Sequence, residues 1–224
     1  MRKLLLVAIA ATTITPIAGQ ADDICSIPLS EAGAANAHST DPVNDWEGIA
    51  FGNGAATVPA GDIYREGTDL TGAWLSRAAD GTLQGNMSVA DLGTGNLPNA
   101  TFYMLWNSGA GIESLRWASA RFKGAEVAYA YGYQTINPVT GNGQFATVGE
   151  TTGAIDVDGD TVVVNLPAGT AWGSPEAGST IVGISAESRI LLGSPEPLPT
   201  NPSGLRHGFV YTADISEEFC VGIA

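Results

Sequence analysis

From Trp46 onward the chain alternates apolar and polar positions over short runs, each closed by glycine, proline or an Asp-Gly pair. Alternation of period two puts successive side chains on opposite faces of a strand. It predicts strands over residues 69–77, 82–90, 101–107, 112–122, 125–133, 145–155, 161–166, 180–192 and 207–213. The Ala79-Asp80-Gly81 break between the first two marks a hairpin. The run 156–160, with its Asp158-Gly159 pair, reads as a second tight turn. In 101–107 the sequence puts Phe102, Met104 and Trp106 on one face and Tyr103, Leu105 and Asn107 on the other. A long helix needs apolar residues at three and four spacing without glycine breaks, and no segment supplies that.

About nine or ten short strands with frequent turns predict an all-β fold, a single jelly-roll-like β-sandwich spanning residues 45–224. Residues 22–44 have no sustained period and read as an irregular N-terminal arm. Four prolines in 194–204 exclude an interior strand there, leaving a surface loop or a crossing between sheets. Glycine and proline together supply 29 and 12 of the 224 residues, which is the turn content such a fold requires.

Charge narrows the partners. The chain carries 23 acidic and 9 basic residues, a net −14. Nucleic acid is excluded as an expected partner, because phosphate binding needs a Lys/Arg surface. The first 21 residues read as a cleaved signal peptide: Arg2 and Lys3, an apolar run from Leu4 to Ala11, then a small-residue site ending at Ala21. The run is too short to span a bilayer, so secretion to an extracellular or cell-surface location without a membrane span is expected. Losing Arg2 and Lys3 takes the net charge from −14 to −16. In an oxidising compartment the two cysteines, Cys25 and Cys220, are expected to form a disulfide joining the arm to the last part of the chain.

Candidate chemistry is sparse. The histidines are His38 and His207, and no nucleophile elbow, zinc-protease helix or phosphate loop is present. A non-catalytic role is expected, with a hydrolase of unrecognised site as an alternative. Val127, Tyr129, Tyr131 and Tyr133 share one strand face while Ala128, Ala130 and Gly132 share the other. Tyrosines in a row either fill a core or form a platform that stacks sugar rings and hydrogen-bonds at its edge. Trp172, in a Gly/Pro-rich turn, is the fourth ligand-binding candidate. Two acidic groups in irregular segments, Asp41, Asp45 and Glu47, and Asp62, Glu66 and Asp69, are candidate calcium ligands, since calcium takes six to eight oxygens from flexible loops.

A series of short motifs carries a resemblance. It runs Asp69-Leu-Thr-Gly-Ala-Trp74, Asp80-Gly-Thr-Leu83, Met87-Ser-Val-Ala-Asp-Leu92, Tyr103-Met-Leu-Trp106, Tyr131-Gly132, Gly153-Ala-Ile-Asp156 and Val162-Val-Val-Asn-Leu-Pro167. Gly173-Ser-Pro-Glu-Ala-Gly178 and Ile184-Ser-Ala186 complete it. Their order resembles the secreted DOMON-like, family-9 carbohydrate-binding-module-like sandwiches of bacterial and archaeal extracellular proteins. The resemblance implies a non-catalytic module that binds sugars or another small polar ligand, sometimes with structural calcium. A cell-surface or matrix protein that acts through its sheet edges, without a small ligand, is the alternative in another class.

Overall fold

The alternating pattern becomes a two-sheet structure in the computed structural model, which describes residues 25, 27–43, 49–50, 66–93, 97, 99–108, 115–124, 126–136, 138–139, 143–169, 180–192 and 209–222. Thirteen strands are found among these residues: β1 (Ser39–Thr40), β2 (Ile49–Ala50), β3 (Leu70–Arg77), β4 (Leu83–Val89), β5 (Ala100–Asn107), β6 (Leu115–Lys123), β7 (Glu126–Ile136), β8 (Gly143–Glu150), β9 (Gly153–Asp156), β10 (Thr161–Asn165), β11 (Thr180–Leu192), β12 (Phe209–Ile215) and β13 (Phe219–Gly222). A 3-10 turn, Glu66–Thr68, leads into β3. The small sheet runs β1-β3-β4-β10-β9, and the large one runs β2-β12-β11-β5-β6-β7-β8, with β13 alongside β11. Every pairing is antiparallel. The protein is an all-β sandwich.

The interior is the apolar half of the alternation. Phe102, Met104 and Trp106 of β5 are buried, as their spacing predicts, against Leu75, Met87, Val162 and Val164 of the small sheet. Phe102 and Phe122 meet edge to face with centroids 5.7 Å apart, a geometry that suits their ring quadrupoles. The sheets are also joined by buried polar groups. Asp214 of β12 accepts from the Leu70 N–H at 2.7 Å, and the Ser188 hydroxyl of β11 donates to the Thr68 carbonyl. Each satisfies a backbone group that burial would otherwise penalise.

Both predicted turns form. At the β3–β4 turn the Thr82 N–H donates to the Asp80 carboxylate at 2.9 Å, and this bond holds the Asp80 carboxyl below its ordinary pKa. At the β9–β10 turn the Gly159 N–H donates to Asp156 at 3.1 Å.

Three expectations change and one alternative is excluded. Residues 145–155 are not one strand but β8 and β9, in different sheets. The chain switches at Thr151-Thr152 because β10 captures it: the Thr151 hydroxyl donates to the Asn165 carbonyl and the Asn165 N–H donates to the Thr152 carbonyl, both at 2.8 Å. The strand count exceeds nine or ten through this split and through β1, β2 and β13, which are too short to show a period. The arm is not irregular throughout, since β1 lies in it and pairs with β3. Of the two readings of residues 194–204, a crossing between sheets is excluded, because the flanking strands β11 and β12 pair directly, Leu192 opposite Phe209. Residues 1–21 and 194–204 lie outside the described residues.

The arm is fixed by covalent and polar contacts together. Cys25 and Cys220 form the expected disulfide, with Cα atoms 4.9 Å apart. His38 donates from Nε2 to the Ile27 carbonyl at 2.8 Å and accepts the Leu75 N–H at Nδ1 at 3.2 Å. Its ring stacks on Phe219, 5.4 Å between centroids, one residue from the disulfide. Only the neutral imidazole can donate with one nitrogen and accept with the other. Burial accordingly pushes the His38 pKa below its ordinary 6.5, against a smaller opposing effect of the Ile27 bond. The unfolded chain therefore binds this proton first as pH falls, and stability rises with pH across the window between the lowered folded value and 6.5. We expect denaturation midpoints of the wild type to fall between pH 7.5 and pH 5.5, and to fall less in His38→Gln. Equal slopes for the two proteins would remove His38 as the cause.

Candidate functional site

The large sheet has two faces, and both carry aromatic side chains. On the inner face, direct cross-strand partners place Trp106, Arg116 and Tyr133 in one row, Met104, Ala118 and Tyr131 in the next, and Phe102, Ala120 and Tyr129 in a third. The tyrosine stripe predicted from spacing therefore exists and faces the interior side. Its members are not equivalent.

Tyr129 and Tyr131 are half-buried and pack against the core. Burial raises the Tyr129 pKa. The Tyr129 ring crosses to the small sheet and lies where a Cβ on Gly153 of β9 would be, so glycine is required there for the rings and strand to meet. Tyr131 covers Gly149 of β8. Tyr133 is the member at the margin, with the Arg116 guanidinium 5.5 Å from its ring centroid. β3 lies over β11, β4 over β5 and β10 over β6, and β9 meets β7 at Tyr129; Tyr129 and Tyr131 pack against the core cluster, and Tyr133 is not among the residues packed against it. The broad platform predicted from Tyr129, Tyr131 and Tyr133 thus narrows to a rim formed by Tyr131 and Tyr133. Trp172 lies outside the described residues.

The outer face holds a second cluster, which spacing alone does not reveal. Tyr103 and Trp117 meet edge to face at 5.7 Å, and Phe145 of β8 contacts both, at 5.1 Å and 5.7 Å. The Arg189 guanidinium sits 4.7 Å from the Tyr103 ring and 4.2 Å from the Phe145 ring. Glu187 holds Arg189 through two bonds of 2.8 Å and 2.7 Å. A sandwiched, bidentate guanidinium is a fixed structural group. Burial dominates at Tyr103 and raises its pKa, with Glu187 adding to the rise and Arg189 opposing it. Trp117 is only 3% exposed although it lies on the face away from the core. Two things cover it. The β7–β8 ladder carries a bulge between Tyr131 and Gly132. The Ala146 carbonyl then passes directly over Gly132, in the space of a Cβ, with the Trp117 ring 2.6 Å from the same point.

The acidic candidates do not converge. Asp69 is buried at the start of β3, Glu66 is exposed, and Asp41 lies beside β1. Asp45, Glu47 and Asp62 lie outside the described residues. Among the described residues no group of three or more His, Cys, Asp or Glu side chains comes together. His38 is used by the arm, and His207 lies outside the described residues. No helix of the described residues is long and apolar enough to cross a membrane.

Comparison with known proteins gives no match: no family model fits the chain, and no curated protein or solved structure is significantly similar to it.

Proposed function

We propose that the protein is a secreted, non-catalytic β-sandwich that binds a carbohydrate or similar small polar ligand at the Tyr131–Tyr133 rim of β7. The observation that supports this reading is the Tyr133 ring beside the Arg116 guanidinium. An aromatic face beside fixed donors is the combination that sugar rings recognise, apolar C–H surface against the ring and hydroxyls against the donors. The resemblance to DOMON-like and family-9 carbohydrate-binding-module-like sandwiches points to the same class. The signal-like first 21 residues and the disulfide support export.

The reading separates two tyrosines of the same stripe. Tyr133→Ala is expected to abolish saccharide binding in calorimetric titration while leaving stability within about 1 kcal/mol of wild type. Tyr129→Ala is expected to cost about 2–3 kcal/mol, because it removes a ring packed between the sheets. A folded wild type that binds nothing on a broad glycan array would end the carbohydrate reading.

A second reading has its own observation. The apolar residues Ile136 (47% exposed), Val139 (90%) and Val148 (41%) lie on β7, β8 and the link between them, and among the described residues β8 is the last strand on its side of the large sheet. Such an edge suits pairing with another chain in a surface or matrix assembly. Light scattering at rising concentration tests it, and a monomer throughout counts against it.

A further inference from the structure

We propose that Asn99 carries an N-linked glycan, attached as the chain crosses the exporting membrane; the inference rests on the export part of the reading above and is independent of what the rim binds. The sequence holds two Asn-x-Ser/Thr acceptor patterns, Asn86-Met-Ser88 and Asn99-Ala-Thr101. A near-match, Asn201-Pro-Ser203, has the middle proline that the pattern excludes. The pattern treats the two acceptors alike, and the fold separates them.

Asn86 lies in the middle of β4, which pairs with β3 on one side and β10 on the other. It is 6% exposed. Its two amide hydrogens serve the Ser76 hydroxyl at 2.9 Å and the Trp74 and Gln84 carbonyls, both at 3.4 Å. A glycan on Nδ2 replaces one of those hydrogens with a sugar ring, and a buried side chain leaves the ring no way out to solvent. It also removes a donor from buried acceptors, which burial penalises. The folded chain therefore excludes a glycan at Asn86.

Asn99 is exposed and stands in the turn before β5, which the Ala100 N–H closes by donating to the Leu97 carbonyl at 3.1 Å. Its φ is 70°. Among residues with a Cβ, asparagine is one of the few that reach positive φ readily, so one residue both makes the turn and presents the amide to solvent. Thr101 follows on β5, half-buried on the face opposite Phe102. The site is also remote from the rim. A strand rises about 3.3 Å per residue, so Asn99 stands about 20 Å along β5 from Trp106, whose row holds Arg116 and Tyr133. A glycan there leaves the rim open. The step is a displacement. The Asn99 Nδ2 bonds to C1 of the first sugar of a polyprenyl-diphosphate-linked oligosaccharide, supplied by the exporting cell. The C1–O bond to the diphosphate breaks, the diphosphate leaves with the electron pair, and the amide gives up one proton.

Intact mass and peptide mapping of the chain, collected from the medium of the cells that make it, test the assignment. The expected result is one glycan, on Asn99, with Asn86 bare. Asn99→Gln and Thr101→Ala are expected to remove the added mass completely, Thr101→Ser to keep it, and Asn86→Gln to leave it unchanged. Should a variant fail to fold and reach the medium, the peptide map of the wild type decides alone. A bare Asn99 on exported chain that has lost its first 21 residues overturns the proposal and leaves the export reading standing. A glycan on Asn86 of the folded chain overturns it as well. If the chain stays in the cell with residues 1–21 attached, both fall.

Discussion

Replacing Cys25 and Cys220 together by serine is expected to cost about 3–5 kcal/mol of stability, the largest effect of any change considered. The two cysteines are 195 residues apart in sequence, so the crosslink closes nearly the whole described chain into one loop. In the chain-entropy account a loop of that length restricts the unfolded state by roughly 5 kcal/mol, an upper figure because unfolded chains retain structure. The folded side depends on the bond less. Removing it leaves β1 on β3, the two hydrogen bonds of His38 and its stacking on Phe219. The expected signature is therefore a large drop in the denaturation midpoint with a native fold in dilute buffer. Amide exchange would rise in residues 27–43 before it rises in β5 or β6. A loss below about 1 kcal/mol in urea titration, where the unfolded chain is well solvated, would show that the noncovalent contacts alone hold the arm.

The strand alternation made the main faces legible. The spacing of Phe102, Met104 and Trp106 identified the core side of β5, and the thirteen residues predicted at 180–192 are β11. Physical reasons explain where legibility ended. The pattern through 145–155 is continuous because both β8 and β9 alternate, while the switch of sheets at Thr151-Thr152 is decided by Asn165, fourteen and thirteen positions downstream. Two-residue strands such as β1 have no period to read and form only because a partner is present. The tyrosine stripe was visible as a stripe, but which of its members reaches the rim depends on how far the small sheet extends. Tyr129 meets Gly153 and Tyr133 meets Arg116, and both partners lie on other strands. Cys25 and Cys220 were paired from compartment and parity alone, and the structure joins them.

Trp117 supplies the second large expectation. It lies on the face of β6 away from the core, opposite Leu105 of β5. It is buried because β8 folds across that face, and β8 can do so because position 132 has no side chain. A Cβ there overlaps the Ala146 carbonyl, which is backbone and cannot rotate aside. Gly132→Ala must therefore lift β8 or flatten the bulge. Either movement draws Phe145 away from Trp117, Tyr103 and Arg189. The cost is expected to be about 2–4 kcal/mol, combining overpacking with the lost aromatic contacts. Near-ultraviolet dichroism and a red shift of tryptophan emission would report the exposed ring separately from global unfolding. Gly33→Ala is the control, since a Cβ at Gly33 meets nothing within 4 Å, and it should stay within about 0.5 kcal/mol of wild type. Because β7 also carries the rim, Gly132→Ala should weaken ligand binding by displacing Tyr133, whereas Phe145→Leu should disturb the outer cluster and leave binding intact. Equal stability of Gly132→Ala and wild type would mean that β8 does not lie across the outer face.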